Sequence, residues 1–177
     1  MKKLMILLSL IGMKNLSFAN TAPKVEECMP DPCIHSSYTY GGLGLGPLPF
    51  PALTLSLGRR TAIGDKVAID TGATLATLFR WNLIRGYVNG LCYFKQEPCS
   101  QYYVGLGGSA GVPFGFDDVH EFGPFVTPNF LIGKEFFNSD GNKRFFQVEV
   151  LYPVYAISEK KLIDCIPFVT LKYGFAF

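Results

Sequence analysis

The twelve residues from Ile166 to Phe177 constrain the fold more than any other stretch of this chain. They read I-P-F-V-T-L-K-Y-G-F-A-F, and Val169, Leu171, Tyr173, Phe175 and Phe177 fall at every second position. Thr170, Lys172, Gly174 and Ala176 take the alternate positions. Successive side chains of a strand point to opposite faces, so this is a β-strand with one wholly apolar face and one small or polar face. The sequence stops on Phe177, inside that pattern, without the polar residues that usually trail a fraying terminal strand of a soluble sandwich.

Seven earlier segments carry strand patterns separated by turn residues: 38–46, 52–60, 67–79, 83–94, 101–112, 122–136 and 145–155. Leu53, Leu55 and Leu57 alternate with Thr54, Ser56 and Gly58, and Tyr102, Val104, Leu106 and Ala110 alternate with Gly105, Gly107, Ser109 and Gly111. The segment 83–94 alternates poorly. Asp140-Gly141 is a strong hairpin signal between the sixth and seventh segments. The segments are longer than the usual five or six residues of soluble sheets. They suit tilted spans of about 9–11 residues plus rims. No stretch shows helical periodicity. The expected fold is all-β: a single antiparallel up-and-down transmembrane β-barrel of eight strands over residues 38–177.

Export is expected from the start of the chain. Lys2 and Lys3 form a basic region, residues 4–13 an apolar one, and Ser17-Phe18-Ala19 supplies small residues for cleavage after Ala19. Residues 1–19 then read as a signal peptide and 20–37 as a Pro- and Cys-containing periplasmic lead-in. The formal net charge of +2 belongs to that leader, since removing Lys2, Lys3 and Lys14 from the 16 basic residues leaves 13 against 14 acidic ones. No nucleic-acid footprint remains. Nor does any apolar run reach the length of a spanning helix. Aromatic residues make up 15% and charged residues 17% of the chain, the latter below the roughly 25% of soluble domains. An exported, aromatic-rich, charge-poor chain without a spanning helix fits a membrane barrel, whose backbone groups pair between strands.

The terminal strand resembles the closing strand of small bacterial outer-membrane β-barrels of the OmpA and OmpX size. In that family the C-terminal strand is the signal read by the barrel assembly machinery, a role that would fall here to Val169, Leu171, Tyr173, Phe175 and Phe177. The stretches Leu91-Cys-Tyr-Phe, Pro98-Cys-Ser-Gln-Tyr-Tyr-Val-Gly-Leu-Gly, Pro128-Asn-Phe-Leu-Ile-Gly-Lys-Glu-Phe and Phe145-Phe-Gln-Val-Glu-Val resemble an uncharacterised barrel family of chlamydia-like bacteria. That resemblance implies an outer-membrane location, contact with outer-membrane lipid, and disulfide-linked envelope proteins as partners. It carries no catalytic motif.

With apolar faces toward lipid, the other faces must fill a narrow lumen. Arg60, Asp70, Glu135, Glu149 and Lys172 are then candidates for a buried ion-pair network, since isolated charges there would each cost several kcal/mol. Cys28 and Cys33 could close a small disulfide loop. Cys92 and Cys99 bracket the fourth-to-fifth hairpin and are a second candidate pair. Cys165 is the candidate free or intermolecular thiol, and five cysteines leave at least one unpaired within the chain.

The histidines are His35, beside Ser36, and His120, beside Asp117, Asp118 and Glu121. Neither completes a nucleophile–base or four-ligand set in sequence. No cofactor or metal is expected. The glycine pairs Gly41-Gly42 and Gly107-Gly108 imitate nucleotide fingerprints but lie in strands with no helix following. The expected role is structural or interactive, in a barrel without an open pore. A lipid A-modifying enzyme would require a Ser–His pair at the rim. A soluble barrel around an apolar ligand would require the apolar faces to point inward.

Overall fold

The structure, a computed structural model, describes residues 37–48, 52–78, 81–97, 99–115, 123–137, 142–152, 154–157, 161–163 and 167–177. The expected signal peptide and the lead-in up to residue 36 lie outside the described residues, and so do Cys28, Cys33, His35, His120 and Cys165. The strands are β1 (Tyr38–Leu48), β2 (Leu53–Gly64), β3 (Val67–Leu78), β4 (Trp81–Glu97), β5 (Ser100–Gly115), β6 (Phe125–Phe137), β7 (Lys143–Leu151), β8 (Val154–Ala156), β9 (Lys161–Ile163) and β10 (Phe168–Ala176).

Each of β1 to β6 pairs antiparallel with its successor, β7 pairs with β10, and β10 pairs with β1. Those eight strands close an up-and-down barrel. The short β8 and β9 form a hairpin on the rim, where β8 pairs with the start of β6. The strands run past several of the expected ends. β4 and β5 extend as a long hairpin because their pairing continues from Trp81↔Gly115 to Glu97↔Ser100.

The stagger of the barrel can be read from its paired residues. A row leaving β6 at Phe136 passes Arg144, Phe175, Gly41, Leu57, Ala73, Gly86 and Ala110, and re-enters β6 at Val126, ten residues along. Such a stagger tilts the strands by about 40° and leaves an interior wide enough only for side chains. A two-residue turn, Asp65-Lys66, joins β2 to β3. β1 changes register against β10 between Leu45 and Leu48, and Gly46 stands in that irregularity at φ 145°, a conformation that favours glycine.

Glycines on the inner face make room for rings. Tyr40 lies directly opposite Gly58, Tyr87 opposite Gly72, Tyr103 opposite Gly133 and Phe145 opposite Gly174. All four rings are buried. Each ring lies over the space that a Cβ on its glycine would occupy.

Gly133→Ala is expected to destabilise the barrel by about 1–3 kcal/mol through overpacking. Its Cβ would meet the Tyr103 ring and the Phe146 carbonyl oxygen, the latter at 2.7 Å. Gly108→Ala is the control, because its Cβ meets only the Thr127 carbonyl oxygen at 3.7 Å and should be close to neutral. Urea unfolding of the refolded protein in detergent or vesicles checks both.

Candidate functional site: the filled lumen and the apolar wall

The barrel is apolar outside and polar inside. Leu106 on the wall is 69% exposed, whereas Arg60, Glu149 and Lys172 are each 1% exposed and Asp70 0%. Val169, Leu171, Tyr173, Phe175 and Phe177 lie on the outer side of β10, with Thr170, Lys172 and Gly174 buried between them. A soluble barrel around an apolar ligand would need the reverse arrangement.

Arg60 organises one end of the lumen. β2 places it on the buried side, one residue from the outward Arg59. One guanidinium nitrogen donates to Glu135 Oε1 and to the Tyr38 hydroxyl at 3.3 Å. The other donates to the Tyr103 hydroxyl and to Gln147 Oε1, both at 2.8 Å. Nε lies 3.8 Å from Asp70 Oδ2. The guanidinium carbon lies 4.1 Å from the centre of the Phe145 ring and 4.5 Å from that of Tyr103. A planar fork held by carboxylates and rings is a role that lysine could not fill equally.

Glu135 is satisfied from several strands at once. It accepts from Tyr38, from Tyr93 at 2.9 Å and from Gln101 at 3.1 Å, besides Arg60. Asp70 accepts from the Tyr40 hydroxyl at 2.7 Å, and that hydroxyl lies 2.6 Å from the Tyr87 hydroxyl. Arg60, Asp70 and Glu135 therefore form one cluster.

Glu149 belongs to a second group. Arg85 on β4 binds it with two nitrogens, at 2.8 and 3.2 Å. Arg85 is absent from the residues singled out by sequence because the alternation of β4 is weak. Lys172 is buried with its Nζ 4.4 Å from the centre of the Tyr87 ring and without a hydrogen-bond partner. Further along, Asn129 donates to Asn89 at 3.2 Å and accepts from Ser109 at 3.0 Å, and the Ser56 and Thr74 hydroxyls lie 3.2 Å apart. Side chains from all eight barrel strands thus share the interior.

The expected Cys92–Cys99 pair does not form: Cys92 is a free, exposed thiol on the outer face of β4. β4 continues to Glu97, so five further residues at about 3.3 Å each carry the chain some 16 Å beyond Cys92, well past the Cα separation a disulfide can bridge. Among the described residues no group of histidine, cysteine and acidic side chains is placed to hold a metal. The residues that a rim Ser–His pair would require, His35 and His120, lie outside the described residues.

No family model and no curated protein sequence matches the chain. In fold it is similar to the N-terminal β-barrel domain of Pseudomonas aeruginosa OprF, at a TM-score of 0.59 and 11% identity over 80% of this chain and 97% of that one. It is similar also to Neisserial surface protein A, NspA, at a TM-score of 0.55 and 10% identity over 79% of this chain and 92% of that one. At such identities the likeness is one of fold.

Two outcomes are expected. Arg60→Met should destabilise the barrel by about 3–5 kcal/mol, because it leaves buried carboxylates uncompensated. Combining it with Glu135→Gln should restore part of that loss in a double-mutant cycle measured by urea unfolding. In bilayers, Cys92 should react faster with an apolar, membrane-permeant maleimide than with a charged thiosulfonate. Cys92→Ser should abolish that differential labelling.

Proposed function

We propose that this chain is an integral outer-membrane β-barrel protein, exported by a cleaved leader, with a structural or interaction role in the cell envelope and no open pore. The observation that carries the reading is the inversion of polarity. A wall of exposed leucine, isoleucine, valine and phenylalanine surrounds a lumen whose charges are buried and paired at Arg60–Glu135 and Arg85–Glu149. In water such a wall would be a large aggregation-prone surface; in hydrocarbon it is the required one. A closed barrel also satisfies the backbone without water.

Supporting this reading, β10 closes the barrel between β1 and β7 and carries the apolar alternation expected of an assembly signal. The lumen favours a plug over a channel, since its arginines, rings and carboxylates meet across the interior. Cys165, the candidate free or intermolecular thiol, carries the further proposal of a disulfide link to another envelope protein.

The test is electrophoretic mobility of the refolded full chain with and without boiling, followed by planar-bilayer recording. The unboiled protein should migrate away from the boiled position, fractionate with outer membranes, and give no stable conductance steps. A protein soluble without detergent would refute the membrane reading, and regular conductance steps would refute the plugged lumen. Non-reducing gels of cell envelopes should show higher-mass species containing the chain; only monomer there would remove the disulfide proposal.

A further inference from the structure

The outer wall carries charge of essentially one sign. Among the described residues, the strand carboxylates Asp70, Glu135 and Glu149 point into the lumen. Among the residues whose side chains are described, the outward cations of the strands are Arg59 on β2, Lys134 on β6 and Arg144 on β7. Their acidic counterpart on the strands is Glu97, at the end of β4, which accepts from Lys134 Nζ at 3.0 Å and from the Ser100 hydroxyl at 2.9 Å. Arg59 and Arg144 have no ion-pair partner among the described residues.

These cations lie at one height. Arg144 pairs with Phe136 and Phe175, Lys134 stands two residues from Phe136, and Arg59 stands two residues from Leu57 in the same row. The row climbs toward the loop end by about 3 Å per strand, while each residue along a strand counts for about 2.5 Å of height. All three cations then fall within a band roughly 5 Å tall, at the end of the barrel that holds Tyr38 and Phe177.

Aromatic rings share that band. Lys134 Nζ donates within 3.1 Å of the Tyr102 hydroxyl and lies 5.5 Å from the centre of the Phe136 ring. Phe175 and Phe177 pack over Gly41, between the strands of Arg144 and Arg59. Rings and snorkelling cations are the pattern of a membrane–water boundary, where an outward charge costs little.

We infer that Arg59, Lys134 and Arg144 form a belt that binds the phosphates of anionic phospholipids in the leaflet at the termini end of the barrel. The belt is most developed between Lys134 and Arg144, which are diagonal neighbours across β6 and β7. It rests on the membrane reading above and adds a lipid preference to it. An excess of outward cations over carboxylates at one height is complementary to a phosphodiester and to no group of the hydrocarbon core.

The test uses the full chain in phosphatidylcholine vesicles with and without a minor fraction of phosphatidylglycerol, with spin-labelled lipids reporting wall association. Labelled phosphatidylglycerol should associate roughly two- to fivefold more strongly than labelled phosphatidylcholine. High salt should weaken the preference. Arg59→Gln/Arg144→Gln should bring it near unity, and Lys134→Gln should reduce it less, because its ammonium is already held by Glu97. Equal association in the unaltered chain, or a preference that the double variant keeps, overturns the belt. Insertion is scored first. A chain that fails to enter phosphatidylcholine vesicles removes the membrane reading itself, whereas insertion without selectivity removes only the belt.

Discussion

Closing eight strands with a stagger of ten residues leaves an interior about as wide as the side chains that line it. Every inward position then meets partners from across the barrel as well as from the neighbouring strands. Arg60 shows the consequence: from β2 it reaches Glu135 on β6, Gln147 on β7 and Tyr103 on β5. A wider barrel would leave those groups to water. The same narrowness explains the glycines opposite Tyr40, Tyr87, Tyr103 and Phe145, because those side chains lie where a Cβ would stand.

Burial makes the charges interdependent. Among the described residues, the buried charges of the lumen are the cations Arg60, Arg85, Lys143 and Lys172 and the carboxylates Asp70, Glu135 and Glu149. Replacing a buried pair with apolar groups is often neutral or stabilising, whereas removing one partner is costly. The network is therefore weak grounds for stability in itself. It fixes register, since a one-residue slip of β2, β3, β4, β6, β7 or β10 would turn a buried charge out onto the wall and an apolar row into the lumen.

The architecture was legible in the sequence wherever the two faces differ in polarity. β2 sets leucines against threonine, serine and glycine, and β10 sets aromatic residues against Thr170 and Lys172. β4 was obscure for a physical reason. Its inner face holds Arg85, Tyr87, Asn89, Leu91 and Tyr93, while its outer face holds Ile84, Gly86, Val88, Gly90, Cys92 and Phe94. The inner residues are large and half apolar, and the outer ones include two glycines, so the contrast that reveals a face is lost. Arg85 went unnoticed with it, although a buried Glu149 requires a cation of just this reach. Pairing across the barrel was beyond the sequence altogether, because periodicity reports which side a residue faces and not which residue stands opposite. The Cys92–Cys99 expectation failed on strand length, with five more residues of β4 beyond Cys92.

An interior so fully engaged shifts the search for activity to the surface. Side chains such as Arg60 and Glu135 are bound into the fold, and a substrate could reach them only by opening the barrel. What is free to act lies on the wall and at the rims. On the wall the described chemistry consists of an unpaired thiol at Cys92 and outward cations near the termini end, set in an otherwise apolar surface. Neither supplies a nucleophile with a base or an acid with a partner, and both face the surroundings of the barrel. Groups so placed can bind, anchor or crosslink, and they are where the proposed interaction role would reside.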